Sequence, residues 1–283
     1  MPTAILLIHC PDQPGLVRAV ASFIAENGGN IVQFDQHTDA REGTFFMRAE
    51  WDLANFVISR AELPVFIRAL AEPRRMKWKL HFSDDRERVA LFVSKDAHCL
   101  YDLLSRHEAG ELNADIPFIL SNHDTLRSAA ERFGIPFHLV PVSAATRQDA
   151  EEKQQALLAA HGITTVVLAR YMQILSDQFT ATMPERIINI HHSFLPAFPG
   201  AKPYHSAHAR GVKIIGATSH YVTADLDEGP IIEQDVIRVS HRHCIEDLVR
   251  QGRDLEKVVL SRAVRWHIER RVLAYNNRTV VFA

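Results

Sequence analysis

The chain is poor in features that mark several large classes of protein. Its three cysteines, Cys10, Cys99 and Cys244, are too few and too far apart for a disulfide framework or a zinc ribbon. No apolar run approaches the roughly 20 residues that a membrane-spanning helix needs. The N-terminus begins without a basic segment, so no signal peptide is expected. These absences favour a cytoplasmic protein in a reducing compartment, with no membrane partner.

The sequence also lacks an excess of charge of either sign. Its 32 basic and 34 acidic residues give a formal net charge of −2, so there is no electrostatic reason to expect nucleic acid as a partner. It contains no phosphate-binding Walker loop, no G-x-S-x-G nucleophile elbow and no G-x-G-x-x-G after a strand. These three common catalytic frameworks are therefore excluded.

The pattern of residues 1–83 predicts a small domain. An apolar run of strand length at 4–10 is followed by the turn signal PDQPG at 11–15 and then by apolar residues at helical spacing. Two strands, a second helix and a further strand follow, which gives the β-α-β-β-α-β order of a ferredoxin-like unit. The charged stretch at 84–88 is predicted to be a linker.

Residues 89–283 alternate between apolar strand segments and helical segments. This alternation predicts an α/β domain with a doubly wound, mostly parallel sheet. Ligands of such sheets bind at the carboxyl ends of the strands. We therefore expect chemistry just after the strands that end near residues 169 and 190.

The stretch INIHHSFLP, residues 188–196, lies at the second of these strand ends. Because alternate residues of a strand point the same way, Asn189 and His191 are expected to face one cavity while Ile190 faces the core. A carboxamide beside an imidazole can stabilise an oxyanion and move a proton. A loop capped by polar side chains is the structural alternative.

A second candidate segment is the turn DLDEGP, which follows the strand pattern of GATSHYVT. It brings Asp225, Asp227 and Glu228 together before a Gly-Pro pair. Three carboxylates in a turn are also typical of a solvated loop. A catalytic role needs only one of them, held in a cleft where its neighbours set its pKa.

Taken in order, these segments resemble a known family. NIHHSFLPAFPG, HYVTADLDEGPI and VLARYMQILS resemble the folate-dependent formyltransferase superfamily, and PDQPGLV and NGGNIV resemble an ACT domain, an amino-acid-sensing module. An ACT domain in front of such a catalytic domain is similar to the formyltetrahydrofolate deformylase family. The resemblance covers essentially the whole chain, with domains at 1–83 and 89–283.

The resemblance implies hydrolysis of 10-formyltetrahydrofolate to tetrahydrofolate and formate, with formate supplied to purine synthesis. No cofactor is expected, since the folate is the substrate, and no metal. Asn189 would donate to the formyl oxygen, and His191 would stabilise the tetrahedral species and help protonate the leaving nitrogen. Asp227 would accept the proton of the attacking water, directly or through a water. Which of Asp227 and His191 is the effective base stays open.

Further positions follow from the same resemblance. The pterin is expected to bind a loop and a facing segment, formed by Met172, Gln173, Ile174, Leu175, Val222 and Asp225. His220 and His192 would support the catalytic groups, and the Leu195–Pro196 bond is a candidate for cis geometry.

For the first domain, the resemblance suggests amino-acid effectors, glycine and methionine. The candidate effector residues are Asp12, Gly15, Leu16 and Asn30. The alternative is a domain that serves only for assembly, since ACT units commonly pair edge to edge. In either case a homo-oligomer, a dimer or a tetramer, is expected.

Hydrolysis is favoured over formyl transfer by the segment VSKDAHCLYD. In the purine transformylases the matching loop is glycine-rich, which lets backbone amides approach the phosphate of the acceptor. Here the loop has no glycine and adds Asp96, and His192 stands where those enzymes usually have proline. Three alternatives stay open: a formyl transferase, a non-catalytic folate sensor and a zinc amidohydrolase that would use the closely spaced histidines of HSAH or SHRHC.

Overall fold

The computed structural model describes residues 1–197 and 203–283 and divides the chain into two compact units. The second unit contains Glu87–Ile268 and Ala274–Thr279, and the first unit contains the remaining described residues. Two boundaries differ from the sequence expectation. The first strand of the second unit begins at Glu87, inside the expected linker, and the C-terminal segments Glu269–Leu273 and Val280–Ala283 group with the first unit. Residues 198–202, which include the last three residues of NIHHSFLPAFPG, lie outside the described residues.

The first unit has the expected β-α-β-β-α-β order. Its elements are β1 (Thr3–Pro11), α1 (Leu16–Glu26), β2 (Asn30–Asp39), β3 (Thr44–Asp52), α2 (Leu63–Ala71) and β4 (Lys77–Phe82). The sheet has the order β2-β3-β1-β4, and neighbouring strands are antiparallel. Leu16, Val20 and Ile24 form the buried stripe of α1 and pack in the same core as the inward residues of β1.

Arg48 is a buried charge in this unit. Its side chain is 2% exposed, and it donates to Glu50 Oε2 at 2.7 Å and to Gln33 Oε1 at 2.8 Å. It also donates to the backbone carbonyls of Glu269 at 3.2 Å and Arg270 at 3.0 Å. A guanidinium can satisfy all these acceptors because it has five N–H donors. Arg48 therefore holds the segment after residue 268 within the first unit.

We expect Arg48→Met to lower the free energy of unfolding by about 3 kcal/mol, because removing one member of a buried pair leaves the other unpaired. Urea denaturation of the full-length chain measures the change. Arg60→Met is the control, since Arg60 is 45% exposed and pairs with surface aspartates, and exposed pairs are worth at most about 1 kcal/mol. Equal losses in the two variants would contradict the structural role of Arg48.

The second unit contains the larger sheet. Its strands are β5 (Glu87–Val93), β6 (Ala114–Ser121), β7 (Phe137–Leu139), β8 (Thr165–Leu168), β9 (Ile187–His191), β10 (Ile214–Tyr221) and β11 (Ile231–Arg238). Its helices are α3 (His98–Glu108), α4 (Arg127–Arg132), α5 (Arg147–Ala160), α6 (Asp177–Thr182), α7 (Pro203–Arg210) and α8 (Ile245–Ile268). A hairpin of β12 (Val272–Tyr275) and β13 (Arg278–Val281) ends the chain.

The strand order of the larger sheet is β11-β10-β9-β8-β5-β6-β7. The pairs from β9 to β7 are parallel, while β10 is antiparallel to both β9 and β11. The mostly parallel sheet is therefore confirmed. Residues 89–93 of the central strand β5 and the whole of β8 are buried, as expected for parallel strands with helices on both faces.

Strand β8 ends at Leu168, close to the strand end near residue 169 that the sequence predicts. The apolar pattern continues to Met172, but the backbone turns after Leu168. The amide of Arg170 donates to the carbonyl of Leu168, and Arg170 has φ +64°. Because the strand stops there, residues 170–176 form a loop at the carboxyl edge of the sheet. The Leu195–Pro196 bond, which the sequence offered only as a candidate for cis geometry, is cis.

The helices of the described part of the chain include none that combines the length and the apolar character required to cross a bilayer. The longest, α8, carries basic and acidic residues along its whole length.

Candidate active site

A cleft of about 400 Å³ lies at the carboxyl ends of β8 and β9. The catalytic candidates and their expected supports all line it: Asn189, His191, His192, His220 and Asp227. The structure thus brings together side chains from a strand end and from a loop that begins thirty residues later. The pairing that does this is the antiparallel contact of β10 with β9, which sets His220 opposite Asn189.

His191 and Asp227 form a direct pair. Nδ1 of His191 lies 3.2 Å from Oδ2 of Asp227, and both side chains are largely buried. The other ring nitrogen, Nε2, is buried and has no hydrogen-bond partner among the described residues. Because buried polar atoms are normally hydrogen-bonded, an unpartnered nitrogen in a cleft indicates a place for a ligand. His191 therefore presents one nitrogen to Asp227 and offers the other to the cleft.

His220 orients Asn189. Nδ1 of His220 lies 2.9 Å from the carbonyl oxygen of Tyr221, which can only accept, so the ring proton is on Nδ1. Nε2 of the neutral ring then accepts from Nδ2 of Asn189 at 3.2 Å. The same Nε2 is 3.7 Å from Asp227 Oδ1, which is too long for a hydrogen bond. One hydrogen of the Asn189 amide is used in this way, and the second is left to donate within the cleft.

Asp227 is held as a carboxylate. Burial raises the pKa of its carboxyl group, but the hydrogen bond from His191 outweighs burial and holds that pKa well below its usual range. Its backbone has φ +58°, a left-handed conformation that is uncommon outside glycine, asparagine and aspartate. Strained residues of this kind concentrate at functional sites. The site thus contains a fixed negative charge beside an imidazole.

The loop that carries Asp227 is closed by tight backbone contacts. The amide of Tyr221 donates to the carbonyl of Pro230 at 2.9 Å. Gly229 lies so close to Tyr221 that a Cβ atom there would be 1.8 Å from the Tyr221 carbonyl oxygen. Asn277, at the tip of the C-terminal hairpin, donates from Nδ2 to the carbonyl of Glu228 at 2.8 Å. These contacts fix the residues on both sides of Asp227.

The expected substrate-binding residues also line this cleft. Its lining includes Met172, Gln173, Ile174, Leu175, Val222 and Asp225. Met172 is 49% exposed and Ile174 is 59% exposed, so the loop presents apolar surface to solvent. The loop backbone is fixed, since Met172 N donates to Ser94 Oγ at 3.0 Å and Arg147 donates to the carbonyl of Ile174 at 2.7 Å. A flat, partly apolar ligand fits such a surface.

Sequence reasoning missed the residues at the base of the cleft. Arg170 lines the cleft and contacts three groups: His192 Nδ1 at 2.5 Å, Asp96 Oδ2 at 3.2 Å and Glu256 Oε2 at 3.5 Å. Glu256 is 1% exposed and accepts from Tyr204 at 2.6 Å. Arginine inside an apolar run and glutamate in an amphipathic helix carry no sequence signal of burial.

Within the described residues, one group has the spacing of metal ligands. Single ligand atoms of His98, Cys99 and Glu256 lie within 4.8 Å of one another. However, Nε2 of His98 is hydrogen-bonded to Glu256 Oε2 at 2.8 Å, and the Arg170 guanidinium lies beside the same oxygen. Burial also raises the pKa of Cys99 well above its ordinary value, so the thiol stays protonated. The group is therefore best described as a hydrogen-bonded ion cluster.

Glu256 gives a pH-dependent prediction. Burial raises its pKa, but His98, Arg170 and Tyr204 outweigh burial and lower it below the ordinary 4.5. A group with a depressed folded-state pKa stabilises the fold above its unfolded pKa and loses that contribution as pH falls. We therefore expect Glu256→Gln to be less stable than the unmodified chain at pH 7, with the difference narrowing below about pH 4.5. Urea denaturation between pH 7 and pH 4 measures it.

The control for this experiment is Glu111→Gln, at a side chain that is 49% exposed. Its stability should follow the unmodified chain at every pH, because exposed pairs contribute little. A difference for Glu256→Gln that stays constant down to pH 4 would show that its carboxylate charge is not what stabilises the fold.

The structure does not gather the four effector candidates within one chain. Asp12 and Gly15 lie in the turn after β1, and Leu16 is buried in the core of the first unit. Asn30 begins β2, which runs parallel to β1 because both are antiparallel to β3, and it is level with Thr3. Asn30 is therefore at the opposite end of the sheet from Asp12, roughly 30 Å away at the rise of a strand. Within one chain, the structure does not bring Asn30 together with the turn residues.

Comparison with known proteins agrees with the division of the chain into two units. A family model described as "Formyl transferase" matches residues 87–264, and one described as "ACT domain" matches residues 4–53. The chain is 58% identical over 281 residues to a formyltetrahydrofolate deformylase of Synechocystis sp., with 99% of each chain covered.

Solved structures are also similar, one over the whole chain and one over part of it. A formyltetrahydrofolate deformylase from Pseudomonas syringae pv. tomato is 48% identical with a TM-score of 0.97, covering 100% of this chain and 95% of the other. A glycinamide ribonucleotide transformylase from Symbiobacterium toebii is 30% identical with a TM-score of 0.67, covering 72% of this chain and 98% of the other.

Proposed function

The chain belongs to the formyltetrahydrofolate deformylase family, and on that premise we propose that Asn189, His191 and Asp227 carry out its hydrolysis of 10-formyltetrahydrofolate to tetrahydrofolate and formate. The observation that supports these roles most directly is the unpartnered Nε2 of His191 in a cleft where Nδ1 of the same ring is held by Asp227. An imidazole arranged in this way can take a proton at one nitrogen while a carboxylate stabilises the charge from the other.

In the first step a water molecule attacks the formyl carbon, and its proton passes to Nε2 of His191. Oδ2 of Asp227 accepts from Nδ1–H and stabilises the imidazolium that forms. This assignment makes His191 the base that contacts water and Asp227 its charge partner. The depressed pKa of Asp227 supports it, since a carboxyl group with so low a pKa is a weak base but a permanent anion at neutral pH.

The new C–O bond converts the carbonyl oxygen into an oxyanion. Asn189 donates to it through the Nδ2 hydrogen that His220 does not use. One such donor typically contributes about 10²–10³ in rate. In the second step the C–N10 bond breaks and the protonated His191 returns its proton to N10. Tetrahydrofolate and formic acid leave, and the acid loses its remaining proton to solvent as formate. His191 is then neutral again, so the cycle balances.

The ion pairs of Asp96 support water as the acceptor of the formyl group. Asp96 follows the first strand of the catalytic unit, and its carboxylate is shared by Arg170 at 3.2 Å and Arg253 at 3.1 Å. The positive charge that could hold the phosphate of an amine acceptor is therefore already neutralised within the protein.

On the folate side, Met172 and Ile174 offer apolar surface for the pterin, while the backbone groups of their loop can hydrogen-bond its edge.

The test is to incubate the purified chain with 10-formyltetrahydrofolate and to follow tetrahydrofolate and formate. Equimolar release of both, at a rate unchanged by glycinamide and other amines or by a chelator, is expected. Loss of the formyl group only when an amine is present would indicate a transferase. Folate binding without turnover would indicate a sensor, and loss of activity on chelation would indicate a metal hydrolase.

The ACT domain of the first unit suggests a ligand that regulates this reaction. We propose that glycine and methionine act as effectors, bound at the turn of Asp12 and Gly15, in a cytoplasmic homo-oligomer that helps to balance the one-carbon folate pool. The glycine at position 15 has φ +90° and open space around it, so a small molecule can approach the backbone there. Rates measured across glycine and methionine concentrations, with light scattering for the oligomer, test the proposal; rates independent of both amino acids would contradict it.

A further inference from the structure

Arg170 occupies an unusual place beside the catalytic groups. It follows the end of β8 with φ +64°, a conformation that disfavours side chains other than those of asparagine and aspartate. A strained residue persists only when its surroundings hold it. Here the side chain is 13% exposed and is held by Asp96 and by the fully buried Glu256. The Arg170 guanidinium therefore places a largely buried positive charge in the wall of the cleft.

The contact of Arg170 with His192 fixes the state of that histidine. Nη1 of Arg170 lies 2.5 Å from Nδ1 of His192. A guanidinium has only donors and does not lose its proton, so Nδ1 of His192 must accept. The ring proton is then on Nε2, and His192 is neutral. Protonation of Nδ1 would place two donors against each other and add a positive charge beside a positive charge.

The neutral ring of His192 lies against His191. The two ring centroids are 5.3 Å apart, and the ring planes are inclined by 20°. Tyr204 contacts the His192 ring as well, at 5.9 Å between centroids, and its hydroxyl donates to Glu256. Glu256 thus holds both Arg170 and Tyr204 where they contact His192.

We propose that Arg170 is a positioning residue for the reaction: it keeps His192 uncharged and stacked on His191, so that the positive charge that forms during turnover forms on His191 alone. This inference rests on the proposed role of His191. A protonated His192 would oppose the charge that His191 must acquire, because two positive rings in contact repel each other. It would also compete with His191 for the negative charge of Asp227.

The charged and titratable groups that face this pair come from several elements. Arg170 follows β8, Asp227 lies in the loop after β10 and Tyr204 belongs to α7; Asp96 after β5 and Glu256 of α8 act on His192 through Arg170. Arg170 is the permanent cation that contacts His192 directly. Its removal should therefore be what allows His192 to become protonated.

The test uses the double variant Arg170→Met, Glu256→Gln in the full-length chain, so that no unpaired carboxylate is left buried. Its kcat at neutral pH should fall by about tenfold or more, while KM changes by less than about threefold. As pH is lowered, its activity should be lost at a higher pH than that of the unmodified chain, because protonation of His192 then places a positive charge against His191. The single variant Arg170→Lys should have a kcat between those of the double variant and the unmodified chain, because lysine retains a cation at this position.

Adding His192→Phe to the double variant supplies the decisive comparison. Phenylalanine keeps a flat ring against His191 but cannot be protonated, so the earlier loss of activity should disappear. Arg253→Met is the control, because it removes the other arginine that donates to Asp96; its pH profile should match that of the unmodified chain. A double variant with an unchanged profile would overturn the proposal.

Nitrogen-edited NMR of the histidine rings provides a test that does not depend on catalysis or on the stability of the variants. The unmodified chain should show His192 with its proton on Nε2 and Nδ1 unprotonated from neutral to mildly acidic pH. A protonated Nδ1 in that range would overturn the proposal. A correct ring state in a chain that releases no formate would instead refute the proposed function and leave the structural assignment of His192 in place.

Discussion

Asp227→Asn should reduce kcat by about 10²–10⁴-fold while the chain remains folded. The carboxylate that accepts from Nδ1 of His191 is replaced by an amide, and an amide cannot stabilise the imidazolium that forms when His191 takes a proton. An amide nitrogen facing Nδ1 would also turn the imidazole proton toward Nε2, which then cannot act as a base. Steady-state release of formate from 10-formyltetrahydrofolate measures the loss, and folate binding should change little.

This substitution leaves the backbone undisturbed. Asp227 has φ +58°, and asparagine is among the few residues that readily adopt this conformation. A decrease in activity can therefore be assigned to the lost charge. Glu228→Gln is the matched control, since it removes the adjacent carboxylate from the same turn at an exposed side chain. Similar kcat values for the two variants would show that the Asp227 charge is not required.

The sequence was sufficient to predict the parts of this site that depend on local geometry. Asn189 and His191 are two residues apart on one strand, so strand alternation alone predicts that they share a face. The carboxyl edge of a parallel sheet was likewise predictable as the place of the cleft, since strands and helices alternate along the second unit. Both predictions rest on the order and spacing of residues along the chain, which can be read from a single sequence.

The remaining parts depend on contacts between distant segments. Asp227 reaches His191 because β10 pairs with β9 in an antiparallel register, and no pattern in the turn itself distinguishes that carboxylate from Asp225. Arg170 appears in the sequence as one polar residue within a strand, and only the structure shows that the strand has already ended. The separation of Asn30 from the turn of Asp12 has the same origin, since the direction of β2 relative to β1 follows from the sheet order.

The second prediction with a large effect concerns a residue that performs no chemistry. Gly229→Ala should lower kcat by about 10²–10³-fold, because a misplacement of catalytic groups by about 1 Å can cost 10²-fold. The new Cβ would lie 1.8 Å from the Tyr221 carbonyl oxygen, so the loop and the end of β10 must move apart. That oxygen also accepts from His220 Nδ1, so the movement disturbs Asn189 on one side and Asp227 on the other. Formate release and urea denaturation, measured on the same preparation, separate the loss of activity from a loss of stability of about 1–3 kcal/mol.

Gly110→Ala distinguishes this effect from the general cost of replacing a glycine. Gly110 has φ +77° with no atom within 4 Å of the added Cβ, so alanine there strains the backbone but displaces nothing. It should lower the free energy of unfolding by about 1–2 kcal/mol and leave kcat unchanged. If Gly229→Ala also retained kcat, the close approach of the loop to Tyr221 would not be what positions Asp227, and the hydrogen bond from Asn277 to Glu228 would be the contact to remove next. If kcat falls only for Gly229→Ala, the catalytic carboxylate and the oxyanion donor share one backbone support, at the carbonyl of Tyr221.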